Sequence, residues 1–196
     1  KQEGLTPINT HSLDSVKTIF STGSPLNEES YDYIYKYFKK DIQLSSISGG
    51  TDIISCFAGG NPTLPVHRGE IQCRGLGMAV KSYSEDGSSE INKKGELVCT
   101  KPFPSMPIYF WNDSNFKMYT KAYFSKFNNV WTHGDYISID EFYGVEIFGR
   151  SDATLNPGGV RIGTSEIYQA LESIDCIEDS LAVGHDNDND EKVILF

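Results

Sequence analysis

Two short stretches of this chain carry the residue types best suited to gripping a small polar ligand. One is Trp131-Thr132-His133-Gly134-Asp135, and the other is Gly149-Arg150-Ser151-Asp152. An acid and a cation, each next to a glycine, fall at the ends of two short alternating segments. A carboxylate at Asp135 suits both vicinal hydroxyls of a nucleoside sugar, and the Arg150 guanidinium offers five donors in a rigid fork. The neighbouring glycines, Gly134 and Gly149, are read as leaving room for close approach to the backbone.

Gly49-Gly50-Thr51-Asp52 follows an apolar segment. A glycine turn there aims backbone N–H groups and the Thr51 hydroxyl at an anion, and Asp52 suits a magnesium ion bound to phosphates. An ordinary β-turn is the other reading, and on this motif alone the simpler one. No G-x-x-x-x-G-K-[ST] pattern occurs. Thr22-Gly23-Ser24-Pro25 taken alone is a helix-entry turn. His133 lacks a companion Ser or Cys elbow and reads as a positioned or structural histidine; the other three histidines are isolated, and no metal-ligand spacing appears. Asp186-Asn187-Asp188-Asn189-Asp190 looks like the start of a calcium loop, but Glu191 stands where the sixth-position glycine is required. It reads as an acidic hairpin turn.

The elements that must position these residues change in texture along the chain. Val16 to Phe20 reads as a short buried strand. A helix follows, capped by Asn27, with Glu28 and Glu29 at its positive end and Tyr31, Ile34, Tyr35 and Phe38 on one face. Ile42 to Ile47 is the next strand, so the beginning predicts a parallel α/β layout. From about Pro62, short strands at Arg68–Val80, Glu96–Thr100, Val130–Asp140 and Val145–Phe148 predict antiparallel sheet, in the form of a small barrel. Tyr136 to Asp140 alternates cleanly and turns back at 141–144 into Val145. In the plain register that hairpin sets Asp135 beside Arg150, which is the reason to treat them as one site. Most of the aromatic run Tyr109, Phe110, Trp111, Phe116, Tyr119, Tyr123, Phe124 and Phe127 is assigned to the core. After Asp152 a Gly-rich hairpin, a helix capped by Thr164 with Ile167, Ala170, Leu171 and Ile174 on one face, and two strands read as the start of a second unit.

Composition sets outer bounds. At 196 residues the chain can bury one good core and part of another. The net charge of −10 argues against a nucleic-acid or acidic-membrane partner, which would need a basic face. It leaves room for an anionic small ligand, since a site needs only a local positive field. No apolar run reaches the length of a membrane span, and no signal-peptide pattern appears. Cys56, Cys73, Cys99 and Cys176 are far apart and read as buried reduced thiols of a cytoplasmic protein. The chain does not begin with Met and stops within a strand-like segment, Val193 to Phe196, so it reads as a fragment.

Each motif is weak singly; their order is not. A G-S-P turn, a G-G-T-D turn, an H-G-D strand end, then G-R-S-D, G-G-V-R and E-I resemble the motif series of the acyl-adenylate-forming superfamily. Pro65-Val66-His67-Arg68-Gly69-Glu70-Ile71, Gly95 to Pro102 and Lys121 to Phe127 extend the likeness over essentially the whole chain. The resemblance implies an AMP-forming acid–thiol ligase, with acetoacetate, ATP and CoA as small-molecule substrates and Mg2+ as cofactor. The alternatives are a ligase for another short acid, acetate or propionate, and a catalytically silent nucleotide-binding or interaction fragment. The implied layout places residues 1–151 in the large AMP-binding domain, with an α/β portion over about 1–60 and a β-rich portion over about 61–151. Residues 152–196 then form the hinge and the beginning of the small C-terminal domain.

The same resemblance implies roles. Gly23, Ser24 and Pro25 lie against the adenine; Gly49, Gly50 and Thr51 belong to the nucleotide site, Thr51 touching phosphate. Asp52 binds magnesium, where most of the superfamily has Glu, so Thr51 and Asp52 carry the catalytic assignment. Asp135 and Arg150 hold the ribose. Asp152 is the hinge, Gly159 lines the pantetheine tunnel, and Arg161 lies near phosphate or CoA. One departure stands out: Ser48 occupies a place where many relatives carry an aromatic, which removes purine stacking there and implies a different acyl pocket.

Overall fold

The computed structural model describes residues 4–155, 157, 162–171, 174, 176–187 and 190–196. A short helix, α1 (Pro7–Thr10), precedes strand β1 (Thr18–Ser21). The turn after β1 enters α2 (Glu28–Tyr33), which widens into a π-helical turn, Ile34–Phe38. Asn27 caps α2 as expected, its side chain accepting the Ser30 N–H at 2.8 Å. The wide turn spoils the i, i+3, i+4, i+7 alignment: Tyr31 is buried, but Ile34, Tyr35 and Phe38 are only half-buried. β1 runs parallel to β2 (Gln43–Ser46), Thr18 opposite Gln43 and Ser21 opposite Ser46. The parallel layout is therefore present as a two-stranded sheet. β1 starts later than expected, and Phe20 is 69% exposed rather than buried, because successive side chains of a strand point to opposite faces.

Ser48–Gly50 was expected to begin a turn; it is instead strand β3, antiparallel to β4 (Ser55–Gly59) and through it to β5 (Cys73–Arg74). The turn lies one step further on, at 51–54, where the Ile54 N–H donates to the carbonyls of Gly50 and Thr51, both at 3.2 Å. Gly49 must be glycine. A Cβ there would stand 2.0 Å from the Ser55 carbonyl oxygen and 2.9 Å from the Cys56 Cα, both backbone atoms.

The largest sheet has four antiparallel strands in chain order: β6 (Val80–Tyr83), β7 (Gly95–Cys99), β8 (Trp131–Ile139) and β9 (Val145–Arg150). The continuous strand expected over 68–80 is broken. Ile71 makes a single bridge to Val145, β5 covers two residues, and a turn closed by Met78 N–H to Gly75 O at 3.1 Å leads into β6. Helix α3 (Lys117–Tyr123), not foreseen from sequence, fills part of the long β7–β8 connection; the buried Asp113 carboxylate accepts its Tyr119 N–H at 2.8 Å.

The core gathers Ile53, Phe57, Val80, Leu97, Ile137 and Val145, all without exposed surface, around the buried Trp131. Trp131 stacks on Tyr123 with ring centres 3.6 Å apart and meets Phe103, Tyr119 and Phe124 edge-on. The aromatic run splits here. Tyr119 is buried and Phe110, Tyr123 and Phe124 pack on the core, but Tyr109, Trp111 and Phe116 lie out in solvent.

Beyond β9, strands β10 (Thr154–Leu155) and β11 (Ile162–Gly163) pair antiparallel; most of the Gly-rich stretch between them lies outside the described residues. Helix α4 (Thr164–Leu171) includes Thr164 as its first residue and rests on β9: the Ser165 hydroxyl donates to the Phe148 carbonyl, and Lys94 pairs with Glu166. β12 (Ala182–Asn187) and β13 (Asp190–Leu195) pair antiparallel with Asn187 opposite Asp190; Asp188 and Asn189, in the expected acidic turn, lie outside the described residues. Among the described residues no helix is long and apolar enough to cross a membrane. All four cysteines are free; Cys99 is buried, Cys56 and Cys73 half-buried, and Cys176 exposed rather than buried.

Candidate functional site

The β8–β9 hairpin puts Asp135 directly opposite Arg150, in the expected register, just outside a bulge between Tyr136 and Ile137. Asp140 ties the turn: its Oδ1 accepts the N–H groups of Phe142 and Gly144 at 2.8 and 2.7 Å. Arg150 Nη1 stands 3.6 Å from Asp135 Oδ1. The Arg150 fork itself, however, closes on Asp152: Nε donates to Oδ1 at 2.8 Å and Nη2 donates to Oδ2. The cation expected to be free for ligand is held by an acid two residues away. That bidentate pair holds the Asp152 carboxyl below the usual range.

Asp135 is buried, and burial raises its carboxyl, against the lowering effect of His133 and Arg150. The His133 ring is largely covered too. Desolvation lowers its pKa, so the ring is neutral near pH 7. Its Nε2 lies 3.2 Å from the Gly49 carbonyl and 3.7 Å from Asp135 Oδ2, spanning the β3 glycines and the β8 acid. A donated Nε2–H to Gly49 leaves Nδ1 as a buried acceptor without a partner. This fits the structural or positioned histidine read from sequence.

The glycines serve a purpose other than the one expected. A Cβ at Gly134 would meet Arg150 Nη2 at 2.9 Å, and one at Gly149 would meet Ser165 Oγ at 2.0 Å. The room they leave is occupied by the protein's own guanidinium and by α4. Both adopt positive φ, +87° and +100°, which favours glycine in any case.

Two clefts meet at Gly49 and Arg150. The smaller, about 250 Å³, is lined by Gly23, Ser24 and Pro25, by Ser46 to Gly49, and by Ile71, Asp135, Ile147, Gly149 and Arg150. The larger, about 770 Å³, is lined by Gly49 to Ile53, Glu96, Tyr123, Lys126, Trp131 to Gly134 and Arg150 to Asp152. The turn 22–25 and the Asp135/Arg150 pair thus line the smaller cleft, Thr51 and Asp52 line the larger, and Gly49 and Arg150 border both. Ser48 lines the smaller cleft, so no aromatic face stands at that point. A third cleft, of about 410 Å³, is rimmed by Glu28, Glu29, Glu146 and Glu166 and is electrostatically wrong for an anion. Gly159 and Arg161 lie outside the described residues.

Asp52 is exposed at the turn 51–54 and accepts a hydrogen bond from the Tyr123 hydroxyl. Burial and this carboxylate raise the Tyr123 pKa, so the hydroxyl keeps its proton. Among the described residues no group of three or more His, Cys, Asp or Glu converges as a metal cage. One exposed carboxylate beside a phosphate-sized space fits Mg2+, which takes one or two protein carboxylates and fills its shell from phosphate and water.

Sequence reasoning missed Glu96, Lys126 and Tyr123. Glu96 lies on β7 at 2% exposure and is the central acceptor of the site. Its Oε1 accepts the Gly134 N–H at 3.0 Å and the Ser151 hydroxyl at 2.8 Å; its Oε2 pairs with Lys126 at 2.7 Å. The available signal was a lone charge in an apolar strand, Glu96-Leu97-Val98-Cys99.

No family model matches the chain. Among curated proteins it is similar to acetoacetyl-CoA synthetase of Xenopus tropicalis, 54% identical over 198 residues, covering 100% of this chain and 30% of that protein. The acetoacetyl-coenzyme A synthetase of Rhizobium meliloti (strain 1021) is 53% identical over 196 residues, with the same coverage. Among solved structures, acetoacetyl-CoA synthetase from Streptomyces lividans superposes with a TM-score of 0.84 at 42% identity, over 93% of this chain and 28% of that one. The anthranilate CoA ligase AuaEII, in complex with anthranoyl-AMP, superposes with a TM-score of 0.75 at 16% identity, over 99% and 36%, a likeness of fold. The chain is thus similar to members of the acyl-adenylate-forming superfamily. Within that superfamily it is similar over its whole length to acetoacetyl-CoA synthetases, and it spans 30% of the length of the curated relatives it matches.

Proposed function

We propose that this chain is the nucleotide-gripping portion of an acetoacetate–CoA ligase. In the whole enzyme the acetoacetate carboxylate attacks the α-phosphate of ATP, forming an acyl-adenylate and releasing pyrophosphate. The CoA thiol then attacks the acyl carbon, forming acetoacetyl-CoA and releasing AMP. No protein nucleophile is required; the task is in-line positioning and neutralisation of phosphate charge.

One observation carries the reading: Asp135 faces Arg150 in the smaller cleft, and Arg150 also borders the larger one. In it, the buried Asp135 accepts the ribose hydroxyls and Arg150 turns from Asp152 to the nucleotide. Gly23, Ser24 and Pro25 bound the adenine end. Gly49, Gly50 and Thr51 address the phosphates at the other, and Asp52 holds Mg2+, which supplies charge neutralisation there. Residues 1–151 form part of the large domain and 152–196 begin the small one, with Asp152 as hinge. Gly159 and Arg161 act toward CoA and phosphate. The enzyme works in the cytoplasm on small molecules.

The test is ATP–pyrophosphate exchange in the full-length enzyme. Asp135→Ala is expected to weaken nucleotide binding by about 1.5–3 kcal/mol, the range for hydrogen bonds to a charged group. Wild-type affinity in that variant would refute the ribose assignment. Exchange driven better by acetate or propionate than by acetoacetate would move the acid assignment and leave the nucleotide site standing.

A further inference from the structure

Glu96 has no part in the mechanism above, yet it is the most buried charged side chain around the cleft. We infer that Glu96 is the positioning residue of the nucleotide grip, a carboxylate that holds Asp135 and Arg150 at their mutual distance and anchors the backbone leading to Asp152. The inference rests on the nucleotide reading of that pair.

The contacts come from three separate segments. Gly134, whose N–H donates to Oε1, immediately precedes Asp135; Ser151, whose hydroxyl donates to the same oxygen, immediately follows Arg150. One oxygen therefore bridges the two arms of the hairpin at the residues adjoining the pair. The backbone needs the help at this end. The β8–β9 register shifts between Tyr136 and Ile137, the β7–β8 register shifts between Glu96 and Val98, and one further rung, Ser151 N–H to Gly134 O at 2.8 Å, lies beyond the Asp135–Arg150 pair. Lys126 answers the second carboxylate oxygen.

The core makes no demand for a charge here. The rest of β7 is buried, and an apolar side chain of like shape would suit it. A buried carboxylate stripped of its partners is strongly unfavourable, and it persists where hydrogen bonds and a counter-ion complete its shell. Lys126 also neutralises Glu96, so the Arg150 guanidinium stays paired with Asp152 and Asp135 rather than with β7. Glu96 touches no ligand in this reading; it acts through Gly134 and Ser151.

Full-length enzyme carrying Glu96→Ala, Glu96→Gln, Ser151→Ala or Asp135→Asn is assayed by pyrophosphate exchange, with thermal melting measured on each. Glu96→Ala is expected to raise the KM for ATP about tenfold, the equivalent of one charged hydrogen bond. Glu96→Gln recovers part of this, since its carbonyl oxygen still accepts from Gly134 and Ser151, and Ser151→Ala gives a smaller rise of the same kind. A purely structural role would lower the melting temperature and the active fraction while leaving the KM for ATP unchanged, and that result overturns the inference. If Glu96→Ala does not fold, Glu96→Gln and Ser151→Ala decide by the same criterion. Loss of nucleotide binding in Asp135→Asn with unchanged KM in the Glu96 and Ser151 variants sinks the positioning role alone. Unchanged KM in Asp135→Asn sinks the nucleotide reading and this inference with it.

Discussion

Arg150 is the residue whose behaviour differs most from its appearance in the sequence. Its fork was expected to face a ligand and instead closes on Asp152. Both partners are about half exposed, so the pair is worth no more than about 1 kcal/mol. Asp152→Asn in the full-length enzyme is accordingly expected to tighten AMP binding a few-fold, read by calorimetric titration; unchanged affinity would mean the pair does not compete with nucleotide. His133 gives a pH signature. Its folded pKa lies below the value of about 6.5 for the unfolded chain. The stabilisation is therefore complete above that value and is lost as pH falls below it, when the unfolded state takes up a proton the folded state resists. The urea midpoint of the chain should fall between about pH 7 and pH 5, and His133→Gln should flatten that slope. Asp135 works in the opposite sense at lower pH, because its raised pKa lets the folded state take the proton first. At this scale the acid–cation pair was legible because both residues end alternating segments beside glycines. Glu96 was not, since its partners are 30, 38 and 55 residues away in sequence.

The β8–β9 hairpin is the element that sequence described best. A period of two, a polar turn and apolar positions facing one core specify register strongly, because a one-residue slip would turn every side chain to the wrong face. Asn27 and its helix were legible for a similar local reason. The stretch 68–80 was not: its strand pieces are short and its path is set by contacts with β4 and Val145. Helix α3 hid behind aromatics that pack on Trp131, and its N-cap residue, Phe116 at φ 58°, has no side chain that can cap; Asp113 supplies that acceptor from outside the usual position. The Gly-Gly-Thr-Asp segment was placed one step early, because Gly49 and Gly50 read as turn formers. Their smallness instead lets β3 lie against β4 and His133. Gly49→Ala would drive a Cβ into two backbone atoms that cannot swing aside. It is expected to cost more than about 2 kcal/mol, the upper part of the range for overpacking, and to raise the KM for ATP in the full-length enzyme by displacing Thr51 and Asp52. A melting curve and KM both equal to wild type would show that the hairpin accommodates the methyl.

Across the whole molecule the charge of −10 is distributed to a purpose. Carboxylates alone rim the third cleft, whereas the larger one sets Lys126 and Arg150 among Asp52, Glu96 and Asp152. Bulk composition could exclude a polyanion and not a nucleotide. Among the described residues, those beyond Asp152 meet the four-stranded sheet at Ser165 to Phe148, at Lys94 to Glu166 and where α4 packs on β9. A chain spanning 30% of its relatives' length is expected to form no thioester by itself from acetoacetate, ATP and CoA. Measurable acetoacetyl-CoA from these 196 residues alone would overturn the division of labour proposed above.

The two tryptophans sit at opposite extremes. Trp111 is 82% exposed, whereas Trp131 is 2% exposed and stacked on the tyrosine whose hydroxyl holds Asp52. Their emission is therefore separable by wavelength and by quenchers that act only from water. Replacing Trp111 by Phe leaves a single indole coupled, through one phenol ring, to the carboxylate assigned to the cation. The protein carries its own optical gauge of that position, and no dye need be attached.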